Sequence, residues 1–436
     1  MHRSRFIRQF VALGTTKSFF SLPNFGTHLV LMVAGFSLLA MPGMLEAQEW
    51  TRFRGPNGTG ISETKTIPTE FNVESALWRV EVPGEGHSQP VLWGQKLFLT
   101  TSLNKGEVRS LLCFDAENGE LQWQEDYRAT NHRKHNHNSF ASSTPTVDEE
   151  HVYWSFSSPD QHLLLAHDHD GNEVWRHHLG GYESQHSDGT SPILYEEKVI
   201  LANDQDGESY LLALDRKSGE VIWQTPRPSA KTSYGTPCLF EPEDGQPQLI
   251  LTSTAQGITS VDPKDGKILW EAPLFTKRSC SSPVWTGSSF VGTCGSGGGG
   301  NFLVAVQPGG SGDVSTTHLG YQIRKSSMVP YVPTPIVYNG YLFLWTDAGI
   351  VSCVEAESGV PVWQKRVGEG FFASPICIDG KIYCTSTSGT CVVLDASSEF
   401  QILAKNEIGE GSHATPAVAN GRLYLRTFGH LMAFGK

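Results

Sequence analysis

A segment of 13 residues, Leu211 to Trp223 (LLALDRKSGEVIW), recurs in varied form along most of this chain. The other copies are LLCFDAENGELQW ending at Trp123, LLLAHDHDGNEVW at Trp175, ITSVDPKDGKILW at Trp270 and VSCVEAESGVPVW at Trp363. Each opens with an apolar run suited to a buried strand, passes an Asp or Glu, polar residues and a Gly, and closes in an alternating strand that ends in Trp. The Gly supplies the positive φ of a tight hairpin without steric penalty, and the acidic side chain caps turn amides.

A second signature stands about 30 residues before each Trp: a small or hydroxyl residue, Gln89 in the first copy, then Pro, then apolar residues. Pro90, Pro145, Pro192, Pro237, Pro283, Pro335, Pro375 and Pro416 mark it, at gaps of 55, 47, 45, 46, 52, 40 and 41 residues. Such spacing is that of four-stranded propeller blades. The fold class is therefore all-β: an eight-bladed β-propeller of four-stranded antiparallel blades. The last copy, Ala414 to Phe434, supplies only three strands, whereas LWRVEV (Leu77 to Val82) near the start has no Pro segment before it. That N-terminal strand is expected to complete the last blade, because closing the ring removes exposed sheet edges.

Composition sets the limits. The net charge of −12 argues against general nucleic-acid or anionic-membrane binding, which needs a basic surface. Arg3, Arg5, Arg8 and Lys17 precede the apolar run Leu29 to Met41, which is short of the ~20 residues that span a bilayer. Residues 1–47 read as an export signal cut after Ala47, with an uncleaved anchor as the alternative; residues 48–75 read as an arm and 76–436 as the propeller. The expected location is the periplasm or the cell exterior, with no lipid anchor because no Cys stands beside the cleavage region. The propeller is expected to be a monomer.

Eight cysteines in an exported chain permit disulfides, and Cys377, Cys384 and Cys391 share the seventh blade. Cys113, Cys353 and Cys391 also fit apolar inner strands as small core residues, so the pairing stays open. The run Gly295 to Asn301 (GSGGGGN) lacks the Lys-Ser/Thr ending of a phosphate loop and lies between strands, which makes it a hairpin tip.

The Asp, Gly and Trp positions, from Leu77 to Phe434, resemble the pyrroloquinoline-quinone-like (PQQ-like) propeller repeats of quinoprotein dehydrogenases and of the outer-membrane assembly machinery. The resemblance implies aromatic residues that dock one blade on the next, here Trp78, Trp123, Trp175, Trp223, Trp270 and Trp363, with Tyr321 substituting in the fifth blade and Leu403 falling at the position in the seventh. The lead-in Trp50-Thr51-Arg52-Phe53-Arg54-Gly55-Pro56-Asn57-Gly58 is similar to that of exported, planctomycete-type members, and is expected to pack on the ring. A competing use of the Arg pair is to hold an anionic ligand.

In a propeller the segment crossing from one blade to the next collects near the axis, so the residues before each Pro mark are the candidate site. Three positions before the Pro stand His87, Ser142, Gly189, Tyr234, Cys280, Val332, Phe372 and His413. From these and their neighbours the candidate axial pocket is His87, Asp188, Tyr234, Tyr331, Phe371, Phe372 and His413, an aromatic mouth with a few polar groups. The crossing Thr130 to Ser143 carries His132, His135 and His137, candidate ligands of a transition metal or plain loop residues.

The resemblance leaves two main functions open, with a scaffold of the outer-membrane assembly machinery, for which the lipid-attachment Cys is missing, as a third. One is a non-catalytic binding or scaffold module for an envelope protein, peptide or polymer, with no cofactor and no catalytic residues. The other is a quinoprotein oxidoreductase using PQQ with calcium at the axial mouth. The dehydrogenases carry a vicinal cysteine pair, and no two cysteines here are adjacent.

Overall fold

The computed structural model describes residues 50–228 and 231–435; the expected export signal lies outside them. Eight antiparallel sheets follow one another, each beginning just after a Pro mark. In blade 1 the strands Val91–Trp93, Lys96–Leu103, Val108–Asp115 and Leu121–Arg128 pair in that order from the axis outward. The described helical content is three short 3-10 turns, and no helix among the described residues is long and apolar enough to cross a membrane.

Adjacent blades cover both faces of the middle strands, so Lys96–Leu103 and Val108–Asp115 bury all but their end residues. This explains why such segments are continuous runs of apolar and small residues, whereas the outer strand Leu121–Arg128 is largely exposed. The core consequently lies between blades: Phe98, Leu111 and Cys113 of blade 1 pack on Trp154, Leu163 and Leu165 of blade 2. All eight cysteines are free thiols.

The outer-strand aromatics form the second inter-blade contact. The indole N–H groups of Trp123, Trp175, Trp223 and Trp363 donate to the carbonyls of His169, Arg216, Pro263 and Ser397 in the following blade, at 3.0 to 3.3 Å. Tyr321 Oη does the same to Ala356 at 2.9 Å. Trp270 departs: its N–H reaches Gln248 of its own blade at 3.2 Å. The cause is the long hairpin of blade 5, whose Gly312–Asp313 segment pairs in parallel with Trp270 and Glu271.

Register corrects the reading of blade 7. In blades 1, 3 and 6 the residue before the Trp is bulged, so that Cys113, Ala213 and Cys353 face Trp123, Trp223 and Trp363. In blade 7 Val393 faces Ala404, and Leu403 is the bulged residue. The turn there is longer by one, since Asp395 N–H bonds to Gln401 O where Asp115 N–H bonds to Glu120 O. Blade 8 has no outer hairpin for a Trp at this point to cover, because its outer strand comes from the other end of the chain. Trp78–Glu81 pairs antiparallel with His430–Gly435, Trp78 facing Ala433, and the Trp78 N–H reaches Ala116 of blade 1 at 3.3 Å.

Six of the hydroxyls that stand before the Pro marks have a structural use. Backbone N–H groups of Gln89, Thr144, Thr236, Ser282, Thr334 and Ser374 donate to the hydroxyls of Thr144, Ser191, Ser282, Thr334, Ser374 and Thr415, at 2.9 to 3.1 Å. Each bond joins one crossing to the next around the axis.

Beneath this ring the arm occupies the axial channel and covers the otherwise open edges of the innermost strands. Trp50 O and Thr51 O accept from Leu92 and Val147 N–H, and Ile61–Ser62 adds a parallel strand to Ile376–Ile378. Arg52 donates to Pro237 O at 2.5 Å, and fully buried Arg54 donates to Pro335 O and Pro375 O at 3.0 and 3.3 Å. Both cations are buried against backbone carbonyls, with Arg52 Nε and Arg54 Nε and Nη1 left without acceptors among the described residues, and burial lowers Arg52 to about 10 and Arg54 to about 9. They do not present an anion site at the surface.

Candidate functional site: a blind axial cavity

Above the arm lies a cavity of about 550 Å³, with Phe53 of the arm in its lining. All eight residues three positions before the Pro marks line it, because each crossing turns toward the axis at that point. The size is within the range of ordinary small-ligand pockets.

One wall is aromatic. His87 and His413 meet edge to face with centroids 4.5 Å apart, which ring closure makes possible by placing blades 8 and 1 side by side. Phe372 lies 4.8 Å from His413, and His137 stacks on Phe372 at 4.6 Å with 22° between the planes. His413 Nδ1 also contacts His137 O at 3.2 Å. Burial holds His413 down at about 4 and His87 well below the usual imidazole range, with His413 and Arg426 adding to the effect on His87. Both are therefore neutral rings at pH 7.

The facing wall holds Tyr234, Tyr331 and Cys280, with Arg278 behind the tyrosines. Burial raises both phenols and pushes the Cys280 thiol up to about 12, so the thiol is protonated and unreactive. Asp347 also lines the cavity, its two oxygens accepting the N–H groups of Tyr331 and Val332 at 2.8 and 3.1 Å. Burial raises its pKa against the opposing effect of those bonds. The glycine run forms part of the rim through Ser296, Gly297 and Gly299, and Lys277 Nζ ties it down at Gly299 O, 2.6 Å away.

Of the expected pocket residues, His87, Tyr234, Tyr331, Phe372 and His413 share this cavity. Phe371 does not: it is fully buried against Trp345 at 5.2 Å, because successive residues of the crossing point to opposite sides. Asp188 reaches the cavity wall but is buried, and burial outweighs nearby Arg109 to raise it to about 6. His132 turns away onto Phe140 at 4.9 Å, while His135 and His137 sit 5.3 Å apart at the rim. Asp347, Phe53 and the 296–299 rim lie outside the crossings between blades, so the positions counted back from the Pro marks do not reach them. The hairpins between second and third strands end on the same side, and that topological rule would have found Asp347.

Calcium and a quinone fit this lining poorly. Cys280 has no adjacent cysteine, and no three His, Cys, Asp or Glu among the described residues are grouped to hold a metal.

Eight closed sheets with these docking aromatics define a propeller of PQQ-like repeats. The chain belongs to the family described as outer membrane protein assembly factor BamB, whose model matches residues 69–237 and 303–425. The BamB of Yersinia pestis is 20% identical over 376 residues, covering 83% of this chain and 78% of that protein. The crystal structure of BamB from Moraxella catarrhalis superposes with a TM-score of 0.56 at 15% identity, covering 82% of this chain and 98% of that one. Quinohemoprotein alcohol dehydrogenase from Comamonas testosteroni gives 0.63 at 13% identity, covering 88% and 80%, a likeness of fold alone.

Proposed function

We propose that this chain is an extracytoplasmic, non-catalytic binding propeller that holds an envelope partner at its axial mouth. The observation that carries this reading is the blind cavity: neutral aromatic rings from several blades converge on a concave site with no activated nucleophile and no assembled metal donors among the described residues. Membership of a family described as an assembly factor supports a scaffold role over turnover. The preorganised donor set of a quinone enzyme is missing from the described lining, which counts against the oxidoreductase reading.

The test is recovery of a partner from envelope extract on immobilised protein. Wild type is expected to retain a reproducible partner that the double variant His87→Ala, His413→Ala loses. Equal recovery by both would remove the mouth as the recognition site, and dye reduction with alcohols after adding the quinone and calcium would overturn the non-catalytic reading.

A further inference from the structure

Resting on that reading, we propose that the cavity takes the free end of a neutral glycan. Three features point to this ligand class. First, the channel is closed below: the arm bonds to innermost strands of blades 1, 2, 4, 6 and 7, and Phe53 lines the cavity above it. A polymer cannot thread the ring and must enter end-on.

Second, the stacked pair His137 and Phe372, with His413 across it, offers flat apolar faces at the entrance. The C–H face of a pyranose packs on such rings, and its rim of hydroxyls needs fixed acceptors beside them. Asp347 is such an acceptor, since two backbone N–H groups orient its carboxylate and leave lone pairs for ligand hydroxyls. Tyr234 and Tyr331 stand in the same lining.

Third, the lining offers no cation to an anionic ligand: its charged side chains are Asp188 and Asp347, while Arg278, only 7% exposed, stands outside the lining within electrostatic reach of Tyr234 and Tyr331, and Lys277 is tied to the rim loop. Main-chain pairing with an extended peptide is also poorly served, because the arm already covers innermost edges at Leu92, Val147 and Cys377.

The experiment is calorimetric titration of the full chain with maltotriose, cellotriose, xylotriose and triacetylchitotriose, each at low and high salt. Saturable one-to-one binding of at least one is expected, unchanged by salt and weakened about tenfold or more by Phe372→Ala and by Asp347→Asn. His137→Ala, at an exposed ring, is expected to weaken it as well and guards against loss through misfolding. No binding in the panel, binding unmoved by all three variants, or tighter salt-sensitive binding of trilysine or trigalacturonate would overturn the proposal. A partner still recovered by wild type and lost by the mouth double variant, with no trisaccharide bound, would sink the glycan inference and leave the binding role standing.

Discussion

Trp175 of blade 2 covers Gly219 of blade 3 so closely that a Cβ on Gly219 would lie 2.6 Å from the indole ring, while the Trp175 N–H bonds to Arg216 O in the same turn. The same glycine has φ of 71°. The two halves of the repeated hairpin are therefore complementary across blades: the Gly of one receives the Trp of its predecessor. Gly119, Gly266 and Gly359 meet Trp78, Trp223 and Tyr321 at 2.5 or 2.6 Å in the same way.

Gly219→Ala combines a strained backbone with a clash against a packed ring. A loss of about 3 kcal/mol is expected, from left-handed strain and overpacking together. Gly94, at φ of 56°, has nothing within 4 Å of where a methyl group would sit, so Gly94→Ala isolates the backbone part and should cost about 1 kcal/mol. Urea midpoints of the two variants check the difference; equal losses would deny the Trp175 contact its role.

The repeat made the ring legible because spacing between Pro marks depends only on local strand and turn lengths. Closure was legible too, since three strands at one end and one unclaimed strand at the other fit one blade. What escaped was set by single-residue shifts and long-range packing. Leu403 looked like the docking residue because a lengthened turn moved the register by one, and Phe371 looked like a pocket residue because alternation along an irregular crossing has no sequence signature. The cavity floor depends on residues hundreds of positions apart, Arg54 with Pro335 and Pro375, which no local pattern encodes.

Closure rests on one short strand, so Trp78→Ala should act on both chain ends. It removes the bond to Ala116 O and the cover over Gly119. The expected cost is about 3 kcal/mol, with faster amide exchange at Leu431 to Ala433. Leu77→Ala next to it, 44% exposed, should change the midpoint little.

Acid should loosen the propeller through buried neutral histidines. His162 is 4% exposed and sits 3.2 Å from Asn203 Oδ1, and fully buried His167 accepts the Trp154 indole N–H at Nδ1, which a proton there would displace. Burial lowers both to about 4. Between the unfolded value of 6.5 and about 4 the unfolded chain binds the extra protons, so stability is fully present above 6.5 and falls as pH drops. The loss approaches about 3 kcal/mol per group by pH 4. Unfolding free energy measured from pH 7 to 4 should show a slope of at least two protons, and His162→Gln should reduce it by about one.

The crossings themselves are joined by hydroxyls, and an isosteric change separates that bond from packing. Thr334 is 2% exposed, and its Oγ1 accepts the Ser282 N–H at 3.1 Å. Thr334→Val keeps the volume but leaves a buried N–H without its acceptor, which should cost about 1–3 kcal/mol. Thr334→Ser restores the acceptor and loses only a methyl, so it should cost about 1 kcal/mol or less. If the valine variant proved as stable as the serine variant by urea midpoint, the hydroxyl chain around the axis would contribute nothing to holding the blades in a ring. The Ser/Thr before seven of the eight Pro marks would then need another explanation.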